Sequence, residues 1–172
     1  MKILVVVDMQ NDFIDGALGT AEAQAIVENV KNKILKFEGM VLYTRDTHSE
    51  NYNNTQEGRN LPVPHCIKGT TGWQIHPEIA ELVRVQPIDK PTFGSMKLAQ
   101  MISEMNDNEP IEEITLIGLC TDICVISNAM ILKAQLPEVP IVVDASCCAG
   151  VSVQSHEQAL AAMKACQIRI DS

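Results

Sequence analysis

The sequence predicts an α/β fold: a three-layer sandwich in which helices cover both faces of a mostly parallel six-stranded sheet. Three observations predict it. Short runs rich in Val, Ile and Leu alternate with helical patterns along the chain, and strand–helix alternation builds a parallel sheet between helical layers. The runs show little in–out alternation, which suits strands covered on both faces. Polar or reactive residues recur where the runs end, at Asp8, Asp46, Lys90, Cys120 and Asp144, and such sheets bind ligands at the carboxyl ends of their strands.

The first strand spans residues 2–8, KILVVVD. Its apolar run stops at Asp8 with no small-residue cleavage site, so it reads as a buried strand and not as a secretion signal. A helix over 21–37 carries apolar residues at 26, 27, 30, 34, 35 and 37 on one face. Strands at 39–44 and 83–88 enclose the segment 48–77, which contains Asn-, Gly- and Pro-rich stretches and little periodicity. A loop of that length in a compact domain is usually functional. A helix over 95–105, a strand at 113–118, a helix over 122–135 and a strand at 140–144 follow. The chain closes with a helix over 155–164, where Ser155 and Gln158 form a plausible capping box, and a strand at 167–170.

Composition narrows the function. The 172 residues fit one domain over 1–172, and a compact fold of this size buries roughly 70% of its unfolded surface without staples. A net charge of −9, with no basic stripe, argues against nucleic acid. No run approaches the length of a membrane span. The six cysteines lie in or beside apolar segments and form no CxxC pair, so reduced thiols in a cytoplasm are expected.

The richest stretch is 113–135, EITLIGLCTDICVISNAMILKAQ. It reads as a strand, a tight turn, and a helix opened by Cys124. A thiol at a helix N-terminus is shifted toward thiolate, the nucleophilic form. Most cysteines in apolar runs are small core residues, so chemistry alone leaves Cys124 open as nucleophile or core residue. A cysteine nucleophile needs a base. Asp8 could take the thiol proton, and Lys90 could pair with both. Singly, Asp8 reads as a turn residue and Lys90 as a surface lysine; the three together are far more specific.

A second constellation is Asp46, His48, Glu57 and His65. Carboxylate and imidazole donors suit one divalent ion, zinc first, with iron or manganese as alternatives. Asp46 and His48 are two apart on an extended segment and can converge on one side. By spacing alone a polar loop with scattered histidines is the commoner explanation, and Glu57 is the weakest member.

At this point the motifs resemble a known family. VDMQNDF (7–13), RDTH (45–48), PHCIKGTTGW (64–73), DKPTF (89–93) and GLCTDICV (118–125) resemble the isochorismatase-like cysteine hydrolases, and within them the nicotinamidase group. The resemblance implies an Asp8–Lys90–Cys124 triad and a thioester acyl-enzyme. It implies an oxyanion hole of the Cys120 and Cys124 backbone N–H groups, and a cis Leu119–Cys120 peptide. Asp46, His48 and His65 match the family's metal ligands, within a metal-site region at about 46–77, and Glu57 falls where some members use a glutamate. The implied reaction is hydrolysis of a small-molecule amide, nicotinamide to nicotinate and ammonia for NAD salvage. Another small amide or an N-carbamoyl compound is the alternative, and a non-catalytic binding module is a remote one. The resemblance leaves a homo-oligomer open. The chain departs from the group by carrying Pro62 where several members have a tryptophan. Phe13 and Phe93 then remain as the ring-stacking candidates.

Overall fold

The computed structural model describes residues 1–172. Six parallel strands form one sheet in the order β3-β2-β1-β4-β5-β6. The strands are β1 (Lys2–Val7), β2 (Met40–Asp46), β3 (Ile88–Lys90), β4 (Glu113–Leu119), β5 (Ile141–Ala149) and β6 (Arg169–Asp171). Alternate residues of β1 feed two separate cores. Ile3, Val5 and Val7 pack with Leu98, Ile102, Ala129, Leu132 and Met163, which come from α6 (Met96–Asn108), α7 (Ile126–Gln135) and α8 (Val153–Ala165). Leu4 and Val6 pack with Phe13, Ile14, Ala23, Val30, Ile34 and Ile79, from α1 (Asn11–Ile14), α2 (Ala21–Ala25), α3 (Val27–Lys36) and α5 (Pro77–Ala80). The remaining short helix, α4 (Gln56–Asn60), lies in the long β2–β3 connection. Burying both faces of the central strand is what made its sequence read as a continuous apolar run.

Four local expectations are corrected. The run 83–88 is not a strand until its end: Pro87 offers no N–H to a ladder, and pairing begins at Ile88. The helix over 21–37 is broken into α2 and α3 at Ile26, and Leu35 of its apolar stripe is 61% exposed. The capping box of α8 sits one turn earlier, with Ser152 as N-cap and Ser155 as its partner. Asp144 does not reach the active edge, because β5 runs on to Ala149 with an irregularity that sets Gly118 against Cys148. It is held by Lys33 of α3 at 2.7 Å.

The strand order reverses between β1 and β4, both of which lie beside each other at the centre of the sheet. A crevice opens at the carboxyl ends of strands at such a switch point. Gly118, at φ +115°, makes the close approach there: a Cβ on it would lie 2.1 Å from the Val7 carbonyl oxygen. Asp8 follows β1 and Cys120 follows β4, so the topology alone sets their segments side by side.

Candidate active site

Asp46 and Lys90 are the last residues of β2 and β3, and Asp8 leaves β1 with a left-handed φ of 46°. Thr44 of β2 holds Asp8 by donating its hydroxyl to Oδ1 at 2.7 Å. Lys90 is fully buried, with Nζ 2.6 Å from Asp8 Oδ2 and 3.5 Å from Asp46 Oδ1. It donates to Cys124 Sγ at 3.3 Å and to the Thr92 carbonyl at 3.2 Å. One cation thus lies between two buried carboxylates and a thiol.

Cys124 is only 4% exposed, and it does not open a regular helix. Thr121–Val125 forms a π-helical turn capped by Cys120, and α7 begins at Ile126. The Leu119–Cys120 peptide is cis. The thiol is not shifted toward thiolate. Burial pushes its pKa well above the ordinary value, and the Asp8 charge adds to this against the opposing pull of Lys90. Burial likewise raises the Asp8 carboxyl, with Lys90 acting against it. For Lys90, burial would favour the neutral amine, but Asp8, Cys124 and Asp46 outweigh it and keep the ammonium charged. The geometry joins a thiol, a carboxyl group of raised basicity and the ammonium that contacts both. That arrangement can move a proton from sulfur to oxygen when a substrate arrives.

The metal candidates also converge. One donor atom from each of Asp46, His48, Glu57 and His65 lies within 4.8 Å of the others. His48 Nε2 is 2.9 Å from Asp46 Oδ2 and 3.5 Å from Glu57 Oε1; His65 Nε2 is 3.5 Å and 3.7 Å from the same carboxylates. His65 Nδ1 sits 2.8 Å from the Val63 carbonyl. A carbonyl only accepts, so Nδ1 carries the proton and Nε2 presents its lone pair to the cluster. Asp46 Oδ1 is buried without a hydrogen-bond partner. This donor set fits a divalent ion. Tyr52 packs edge-on against both imidazoles, with centroids 4.9 and 5.1 Å away.

The carboxyl edge encloses a cavity of about 480 Å³ lined by Phe13, Asp46, Glu57, His65, Phe93, Cys120 and Cys124, among others. Phe13 is buried and tilts against His65 at 5.5 Å, while Phe93 is 44% exposed at the mouth. A larger concavity of about 1350 Å³ lies at the opposite edge, by Lys2, Met40 and Glu113 at the amino ends of β1, β2 and β4. It holds neither the thiol nor the histidine cluster, so size does not identify the site here.

Sequence reading missed the residues that hold these groups. Gln10 is fully buried, accepts from the Asp46 N–H at 2.7 Å and donates to the Asp46 carbonyl at 2.9 Å. Asp12 accepts from the Cys66 N–H at 2.7 Å, next to His65. Both belong to the VDMQNDF run, and a glutamine just past Asp8 and Met9 at the end of a buried strand was the available signal. Leu18, Gln56, Asn60, Leu61 and Ile123 also line the cavity, and nothing in their spacing marks them.

A parallel sheet with a buried thiol, carboxylate and ammonium at its switch point is the architecture of an α/β enzyme that works on a small molecule in a pocket at the carboxyl edge. The isochorismatase domain model matches residues 2–171, and the chain belongs to that family. It is 23% identical to a nicotinamidase/pyrazinamidase of Mycobacterium tuberculosis, covering 99% of this chain and 98% of the relative. The pyrazinamidase/nicotinamidase structure from Streptococcus mutans superposes with a TM-score of 0.83 at 26% identity over 99% of each chain. The pyrazinamidase of Pyrococcus horikoshii in complex with zinc gives a TM-score of 0.78 at 26% identity, covering 98% and 97%.

Proposed function

We propose that this protein is a metal-containing cysteine amidohydrolase that converts nicotinamide and water to nicotinate and ammonia. The observation that carries the reading is the contact of one buried ammonium with both Asp8 and Cys124, in the cavity that the histidine cluster also reaches. Relatives and structural neighbours named for nicotinamide and pyrazinamide hydrolysis support the amide class.

Asp8 takes the thiol proton as Cys124 Sγ attacks the amide carbonyl carbon. The oxygen of the tetrahedral intermediate is held by the Cys120 and Cys124 backbone N–H groups, aimed at charge that develops only on attack. As the C–N bond breaks, Asp8 returns the proton to nitrogen and ammonia leaves. A water, deprotonated by Asp8, then attacks the thioester carbonyl. The C–S bond breaks, nicotinate leaves, and the thiol is restored. Lys90 offsets negative charge on Asp8 and on the sulfur throughout. Asp46, His48 and His65, with Glu57, would hold the divalent ion, which supplies a Lewis-acid partner for the ring nitrogen of the substrate. Phe13 and Phe93 would wall the ring. The product would enter pyridine nucleotide formation in the cytoplasm.

Substrate profiling with metal analysis tests the substrate assignment. Nicotinamide turnover by protein carrying about one equivalent of metal is expected. Metal-free protein that hydrolyses N-carbamoyl compounds but not nicotinamide would move the activity to the carbamoyl class.

A further inference from the structure

Asn128 sits one helical turn beyond Cys124, in α7, and is 1% exposed. Its Nδ2 donates to the Cys124 carbonyl at 2.8 Å and to the Phe93 carbonyl at 3.3 Å. Its Oδ1 accepts from the Ser95 N–H at 2.9 Å. These partners fix the amide's orientation, since carbonyls only accept and an N–H only donates; a flipped amide would lose all three bonds. A single side chain therefore ties the nucleophile's own backbone to the loop that follows Lys90.

That loop is pressed onto α7. A Cβ on Gly94 would lie 2.4 Å from Ile131 Cδ1 and 3.2 Å from the Ser127 carbonyl, so the loop packs directly against the helix there. Within the loop, Thr92 lends its carbonyl to Lys90 Nζ, and Ser95 caps α6 by accepting from the Leu98 N–H at 3.1 Å. The distance from ammonium to sulfur and the position of the Phe93 ring both depend on where this loop stands.

We propose that Asn128 is a positioning residue that sets the Lys90–Cys124 contact and the placement of the Phe93 wall. The assignment rests on the Asp8–Lys90–Cys124 reading above. It acts through other residues and touches no reacting atom.

Asn128→Asp keeps the acceptor for Ser95 and removes both donors. Asn128→Ser keeps a donor that can reach the Cys124 carbonyl one turn back but cannot bridge to Phe93. In nicotinamide hydrolysis, Asn128→Asp should lose kcat by about tenfold or more, as small misplacements of reacting groups do, and raise KM. Asn128→Ser should recover much of kcat while keeping the raised KM. Folded variants with wild-type kcat and KM, changed only in melting temperature, overturn the proposal and leave Asn128 a structural residue. The serine variant carries the test if aspartate at this buried position prevents folding. Cys124→Ala is run beside them. Turnover by that variant would defeat the thioester reading itself, whereas its inactivity beside unimpaired Asn128 variants would defeat this proposal alone.

Discussion

Lys90 is fully buried, with its ammonium between Asp8 and Asp46. Breaking a buried ion arrangement strands the remaining charges and costs about 3–5 kcal/mol. Lys90→Met should therefore lose stability of that order in urea denaturation, along with activity. A stable but inactive Lys90→Met protein would show that the carboxylates are not relying on the ammonium. At this scale the sequence was legible where chemistry is carried by rare residue types in fixed motifs. Asp8, Lys90 and Cys124 are in mutual contact through the ammonium, which also approaches Asp46 of the four clustered metal candidates. Thr44 and Asn128 were not legible, because a polar residue that serves a group on another element or one helical turn away leaves no periodic trace. Burial of Cys124 works against the thiolate that a helix terminus would favour, and pushes the thiol pKa up against the pull of Lys90.

The metal donors come from the end of β2 and from the connection holding α4, which carries Glu57. An ion bound there would pin a long connection to the sheet edge. Zinc added to metal-stripped protein should raise its melting temperature, with about 2.7 kcal/mol available at a hundredfold excess over Kd. His65→Ala should abolish that increment, and an equal rise in the variant would place the ion elsewhere. A second element-scale prediction concerns α3 and β5. Burial would raise the Asp144 carboxyl, but hydrogen bonds from Lys33 and Ser146 hold it below its ordinary value. A depressed carboxylate stabilises the fold above its unfolded pKa and loses that contribution as pH falls through the folded one. Acid titration of stability should therefore show a loss beginning near about pH 4 that is missing in Asp144→Asn. Identical titrations of the two proteins would contradict the pairing. Element boundaries were the least legible level: Pro87 shortened β3 as its chemistry requires, whereas the continuation of β5 past Asp144 had no local signal.

Across the whole molecule, the site follows from topology. The reversal of strand order between β1 and β4 places Asp8 beside Cys120, and β2 and β3 bring Asp46 and Lys90 to the same edge. The layered fold was legible because alternating strand and helix patterns constrain a parallel sheet to few arrangements. The pocket's full lining was not, because it is assembled from loops whose sequences carry no period. The central claim is that Cys124 performs amide hydrolysis with Asp8 and Lys90. Its most direct test is ammonia release from nicotinamide by metal-replete protein, measured beside Cys124→Ala. Ammonia formation by the wild type, lost by about a thousandfold or more in the folded variant, is the predicted result. Turnover that persists in Cys124→Ala would contradict the account.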